Sequence, residues 1–74
     1  MQRFTLTNPD RKAVGFLLVH DDGIVRNCSF SRIPLRVLVH VLKLASDPAI
    51  PSPYRWLDSA SSASYTLHRE HVDE

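Results

Sequence analysis

The segment that most constrains the fold runs from Leu35 to Ala45, LRVLVHVLKLA, because only Arg36, His40 and Lys43 within it are polar. It is bracketed by Pro34 and Pro48. Proline is favoured at the first position of a helix, and the residue before a proline is biased away from helical geometry. The sequence therefore predicts a helix over residues 34–47.

The polar side chains of this helix fall on one narrow arc. At about 100° per residue, Arg36, His40, Lys43 and Asp47 share that arc, and the other positions are apolar or small. A helix on one face of a small sheet needs an apolar stripe only somewhat wider than about 100°. More than a three-stranded sheet must therefore cover this helix, either the C-terminal third of the chain or a second copy of the protein.

Three strands are predicted before the helix. RFTLT (3–7) alternates polar and apolar residues, as a half-buried edge strand does. AVGFLLVH (13–20) is apolar on both faces, which is typical of a central strand. DDG (21–23) provides the turn residues of a hairpin, and IVRNCSF (24–30) returns as the third strand.

The side chains favour one register for this hairpin. A three-residue loop over 21–23 sets Phe16 opposite Cys28, whereas a two-residue loop sets Leu18 opposite the polar Asn27. The longer loop gathers the apolar side chains on one face, which would consist of Val14, Phe16, Leu18, Ile24, Cys28 and Phe30. It also predicts that Cys28 is buried.

The C-terminal third, residues 48–74, is rich in proline and serine. YRWLD and YTLHRE read as short strands of a hairpin from Tyr54 to Arg69, and a terminal helix from Ser59 is the alternative. The sequence predicts one α+β domain over residues 1–74, with antiparallel strands in 1–33, the helix in 34–47 and short strands in 48–74. Its sheet is small and antiparallel, in the order β-β-β-α with a C-terminal β-hairpin, and it packs on the one helix.

Residues 13–35 also resemble a known segment. AVGF, the turn residue Gly23 and CSFSRIPL are similar to the hairpin-to-helix part of an uncharacterised bacterial family, a domain of unknown function. The matching positions are Ala13, Val14, Phe16, Gly23, Cys28, Phe30, Ser31 and Leu35. The resemblance implies a β-β-α core and a bacterial or phage origin, and it implies no activity.

Composition indicates a soluble, cytoplasmic protein. Cys28 is the only cysteine, so no intramolecular disulfide forms, and a single thiol suits a reducing compartment. No apolar run approaches the roughly 20 residues that span a bilayer. The formal net charge of +1 is too small for a strongly acidic mimic of DNA.

We expect no enzyme, cofactor or metal site. His68 and His71 are one pair of possible ligands, which His20 or Cys28 would have to complete, whereas structural zinc sites usually have paired ligands at both ends. The chain has two glycines and no glycine-rich phosphate loop. An in-facing Cys28 would be a poor nucleophile.

The overly apolar helix predicts a non-enzymatic protein-interaction module that forms a homodimer or binds another protein. One form of it is an inhibitor, encoded by a phage or mobile element, that binds a host defence complex. The alternative is a nucleic-acid-binding regulator that uses the basic stripe of the helix. The candidate partner-binding residues are Arg36, His40 and Lys43 of the basic stripe, together with Tyr54, Arg55 and Trp56, because tryptophan, tyrosine and arginine dominate interface hot spots.

Overall fold

The computed structural model describes residues 1–47 and 49–73, so Pro48, which brackets the predicted helix, lies outside the described residues. The fold is α+β, as the sequence predicts. Its elements are β1 (Gln2–Thr7), β2 (Ala13–Val19), β3 (Val25–Phe30), α1 (Leu35–Ala45), β4 (Tyr54–Asp58) and β5 (Ala63–His71). The C-terminal third forms the predicted hairpin, and the alternative of a terminal helix from Ser59 is wrong.

The strands form one five-stranded antiparallel sheet in the order β3-β2-β1-β5-β4. The helix α1 follows one edge strand, β3, and leads to the other, β4, so the chain crosses the sheet between them. The prediction that β1 is an edge strand is wrong, because β5 pairs with β1 along its whole length, from Gln2 opposite His71 to Thr7 opposite Thr66.

The core lies between α1 and the sheet face that it covers, here called the inner face. The alternation predicted for β1 is confirmed, since Phe4 and Leu6 are buried and Arg3 is exposed. The buried cluster consists of Phe4, Leu6, Leu17, Val19, Val37, Val41, Tyr65 and Leu67. The C-terminal hairpin therefore contributes to the cover that the apolar helix requires.

The loop predicted between β2 and β3 forms. His20 N–H donates to the Ile24 carbonyl at 2.8 Å, and Gly23 N–H donates to the His20 carbonyl at 2.9 Å. These bonds close the three-residue loop over 21–23.

The register predicted beyond that loop is wrong. An irregularity between Leu18 and Val19 shifts the pairing by one residue, so that Cys28 lies opposite Leu17 instead of Phe16. A one-residue shift exchanges the two faces of a strand. Leu17 and Val19 therefore enter the core in place of Phe16 and Leu18. Cys28 stays on the inner face, opposite Leu17, but it is exposed instead of buried as predicted, as are all residues of β3 except Phe30.

The helix α1 is shorter than the predicted range of 34–47. Pro34 occupies the N-cap position, and its carbonyl accepts the first helical hydrogen bonds, from Val37 and Leu38 N–H. Ser46 caps the other end, and its hydroxyl donates to the Leu42 carbonyl at 2.9 Å. Asp47, predicted to lie on the polar arc of the helix, follows this cap.

Candidate interaction surface

The helix α1 presents three different sides. Val37 and Val41 face the core and are almost fully buried. The side that carries Arg36 and His40 faces β4, and the outward side carries Lys43. The predicted basic stripe is therefore divided between two environments.

Arg36 is held by a carboxylate on β4. Its Nε lies 3.1 Å from Asp58 Oδ1 and its Nη2 lies 2.8 Å from Oδ2, which is a two-point contact. Ser61 donates a further hydrogen bond to Asp58 Oδ2 at 2.6 Å. These donors, Arg36 before Ser61, lower the pKa of Asp58 to about 2, and the Asp58 contact raises the pKa of Arg36. Since Asp58 is only 10% exposed, this pair fixes the start of α1 to the end of β4.

Three aromatic side chains and His40 lie together beside this ion pair. The ring centroids of His40 and Trp56 are 5.0 Å apart, those of Trp56 and Tyr65 are 5.8 Å apart, and those of Tyr54 and Trp56 are 6.0 Å apart. Trp56 is partly buried and packs against the core, while Tyr65 belongs to it. Offset aromatic pairs at these distances stabilise a fold beyond the area that they bury.

The structure thus gathers four of the six predicted partner-binding residues, Arg36, His40, Tyr54 and Trp56, between α1 and β4. Lys43 is exposed on α1, and Arg55 lies on the opposite, outer face of the sheet. A cleft of about 210 Å³ is lined by three of these residues, Arg36, His40 and Trp56, and by Asp58. Both oxygens of that carboxylate accept hydrogen bonds from Arg36, so the role of Asp58 in this arrangement is structural: it joins β4 to α1.

The outward side of α1 carries an exposed row of apolar residues, here called the apolar stripe: Leu35, Leu38, Val39 and Leu42. Leu35 is 74% exposed, Val39 44% and Leu42 42%, while Leu38 is half-buried. Their spacing of i, i+3, i+4 and i+7 places them on one side of the helix. The length of the apolar run in the sequence indicated this surface, but not which residues would form it.

The apolar stripe continues toward the edge strand β3. Leu42 and Val25 line the same small groove between α1 and the β2–β3 hairpin. Val25 is 43% exposed, and the neighbouring Ile24 is 61% exposed. Sequence reasoning missed this extension, because the predicted register placed Ile24 on a core face.

The outer face of the sheet is polar where β1, β5 and β4 lie side by side with the β1–β2 turn. A concave surface of about 580 Å³ has three hydroxyl side chains and two arginines in its lining, which consists of Thr7, Asn8, Pro9, Arg11, Arg55, Ser64, Thr66 and His68. Beside it, Arg3 lies over the ring of Phe16, 5.5 Å from the centroid, and 3.9 Å from Glu70 Oε1. Hydroxyls and guanidinium groups are ligands for phosphate oxygens.

Within residues 1–47 and 49–73, no group of three His, Cys, Asp or Glu side chains comes together as a metal site. His68 pairs with Thr5 and His71 with Gln2, so the two histidines point to opposite faces. The helix content of the described residues includes no segment with the length and hydropathy of a transmembrane helix.

No protein-family model matches the chain, and comparisons with curated proteins and with solved structures give no significant match. The resemblance of residues 13–35 to an uncharacterised bacterial family stays a prediction.

Proposed function

We propose that this protein is a non-enzymatic protein-interaction module whose contact surface is the apolar stripe of α1. The observation that carries the proposal is the exposure of Leu35, Val39 and Leu42 along one side of the only helix described. Contiguous apolar side chains on a small protein mark contact sites, whereas single exposed ones are ordinary.

The spacing of the stripe supports recognition by a protein. Anchors at i, i+3, i+4 and i+7 are the pattern by which an amphipathic helix fits an apolar groove or a second helix. The helix is held from beneath by Val37 and Val41 and at its start by Arg36, so the stripe is presented by a fixed element. A fixed surface loses less conformational entropy when it binds.

The two finer roles predicted from the sequence are forms of this proposal. A homodimer would use the stripe against itself, and an inhibitor encoded by a phage or mobile element would use it to occupy the surface of a host defence complex. Both roles need the same apolar side chains to leave water. One set of variants therefore tests the shared requirement.

The test replaces Leu35, Val39 and Leu42 together with glutamine. The matched control is Leu57→Gln, which removes an apolar side chain that is 64% exposed on β4, away from the stripe. We expect the wild type and the control to sediment above 8.4 kDa at micromolar concentration, or to retain a co-purifying protein, and the triple variant to lose that association while keeping its circular dichroism spectrum. Equal behaviour of all three proteins would refute the role of the stripe.

A second candidate function, nucleic-acid binding, is favoured by a different observation. The predicted basic stripe on α1 has Arg36 paired with Asp58, but the outer face of the sheet carries Arg11 and Arg55 in a concave surface rich in hydroxyls. Such a surface suits a phosphate backbone. In this candidate the binding side of the molecule is the sheet, opposite α1.

A further inference from the structure

The edge strand β3 is open on one side. It pairs with β2 alone within the described residues, and five of its six residues are exposed. Proteins protect such edges with prolines, charges or a covering segment. The other edge strand, β4, follows Pro51 and Pro53, whereas β3 contains no proline. The one charged residue of β3, Arg26, lies at the irregularity of its pairing with β2, and the strand is regular over 27–30. This difference marks β3 as the edge that is free to accept another strand.

The backbone of β3 defines which groups are available. Ser31 N–H donates to the Val14 carbonyl on β2 at 2.8 Å. Successive residues of a strand direct their N–H and C=O groups to opposite sides. The main-chain groups of Phe30 and Cys28 therefore point away from β2, where a further strand would bond to them.

We propose that β3 pairs antiparallel with β3 of a second copy, about a two-fold axis that passes beside Cys28. The proposal rests on the proposed function and identifies the partner as the same chain. Paired residues in a continuous sheet share a face, and a two-fold axis perpendicular to the sheet preserves the inner face. Cys28 then lies opposite Cys28 of the second copy, and Ser29 lies opposite Asn27.

Charge supports this register. Each β3 carries one charged side chain, Arg26, which lies at the irregularity of the β2–β3 pairing, between Val25 opposite Val19 and Asn27 opposite Leu18. A slip that centred the axis on Arg26 would place two guanidinium groups directly opposite each other, which is destabilising. The pairing about Cys28 keeps them apart.

The same two-fold axis brings the apolar stripe into the interface. The β3 side of α1 carries Leu42, which shares a groove with Val25, while the β4 side carries Arg36 and His40. In the dimer both helices lie on one face of the joined sheet, with their Leu42 sides turned toward the axis. A stable interface needs about 800 Å² per partner, roughly a sixth of the 5066 Å² surface of the protomer. The surface that this pairing would bury consists of β3, Ile24 and the apolar stripe.

The single cysteine allows a direct test. Hydrogen-bonded antiparallel pairs have Cα atoms about 5.5 Å apart, within the range of disulfides. Reduced protein at micromolar concentration is oxidised with copper phenanthroline or treated with a short bismaleimide, and we expect rapid formation of one species of twice the 8.4 kDa mass. In the control, Cys28→Ser/Ala60→Cys, the thiol is moved to the β4–β5 turn, where cross-linking should be at least tenfold slower.

The register is tested in a Cys28→Ser background. A mixture of the Asn27→Cys and Ser29→Cys variants should cross-link faster than either variant alone, because the proposed pairing sets these positions opposite each other. Each variant is first checked for a wild-type circular dichroism spectrum.

The outcomes separate the two proposals. A protein that sediments as a dimer but whose Cys28 cross-links no faster than the control overturns the β3 pairing and leaves the apolar stripe as the interface. The β3 pairing is also overturned if the protein is a monomer and its Cys28 fails to cross-link. The proposed function survives that result if the stripe variants lose a bound protein of another kind. If no association of any kind depends on the stripe, both proposals fail.

Discussion

At the scale of single residues, Arg36 shows that a sequence pattern can place a side chain on a helix without identifying its partner in the fold. Helical spacing placed it correctly on one arc with His40, yet its partner, Asp58, lies 22 residues away on β4. The sequence offered no reason to join these two residues before the C-terminal hairpin was placed. A cation that looked free for a ligand is instead part of the contact between α1 and β4.

This pair predicts a specific pH dependence. The pKa of Asp58 is held at about 2, below its ordinary value of 3.8, so the carboxylate stabilises the folded state above about pH 4 and loses that effect as the pH falls toward 2. The difference in unfolding free energy between wild type and Asp58→Asn should therefore be constant near neutral pH and shrink below about pH 4. Urea denaturation at a series of pH values measures it.

The matching variant is Arg36→Gln, which removes the main cause of the lowered pKa of Asp58. Its stability should show a weaker acid dependence than that of the wild type. If the difference in unfolding free energy between wild type and Asp58→Asn stays constant down to pH 2, the Arg36–Asp58 pair does not stabilise the fold as proposed.

At the scale of elements, the hairpin of β2 and β3 shows why register is hard to predict. The loop over 21–23 followed from its turn residues, and it formed. The bulge beside Val19 did not follow, because both registers bury apolar residues: Phe16 and Leu18 in one, Leu17 and Val19 in the other. Where a strand is apolar on both faces, alternation cannot decide between them. Cys28 lies on the inner face in either register, and it is exposed because it belongs to an edge strand of which only Phe30 is partly buried.

Gly15 indicates how the edge strand is held in this register. A Cβ atom at this position would clash with Phe30 Cδ1 and lie 2.7 Å from the Ser29 carbonyl oxygen. The ring of Phe30 thus packs directly over the backbone of β2. We expect Gly15→Ala to cost about 1 to 3 kcal/mol, since overpacking forces side chains and backbone to move. Thermal unfolding should show a lower midpoint, by about 4 to 8 °C for each kcal/mol.

A double-mutant cycle with Phe30→Leu identifies the cause. The loss of stability in Phe30→Leu/Gly15→Ala should be smaller than the sum of the losses in the two single variants, because the smaller side chain leaves room for the methyl group. An unchanged midpoint for Gly15→Ala would show that Phe30 does not occupy the space above Gly15.

At the scale of the whole molecule, the fold class followed from the sequence because each element carries a local signal: alternation in β1, turn residues after β2 and prolines around α1. The strand order did not follow. It depends on β5 pairing with β1, a contact between the two ends of the chain. The β1–β5 pairing also determines which side of α1 the C-terminal hairpin covers. The apolar run in the sequence therefore predicted an exposed apolar surface on α1 but not where on the helix it would lie.

The arrangement of charge over the whole molecule separates the two candidate sites for nucleic acid. The outer face carries Arg11 and Arg55, and α1 on the other face carries the exposed Lys43. If the outer face binds a phosphate backbone, anisotropy of a labelled single-stranded oligonucleotide should show affinity that falls with salt, and Arg11→Gln/Arg55→Gln should reduce the log–log slope by about 1 to 2.

Lys43→Gln is the control, because it removes a positive charge from the helix side and should leave that slope unchanged. If Lys43 is needed for oligonucleotide binding and the two arginines are not, the binding site lies on α1 instead of the outer face. An oligonucleotide that fails to bind even at low salt would eliminate nucleic acid as a ligand of either face. The apolar stripe would then be the binding surface left to test, because its association depends on apolar burial, which salt screening does not weaken.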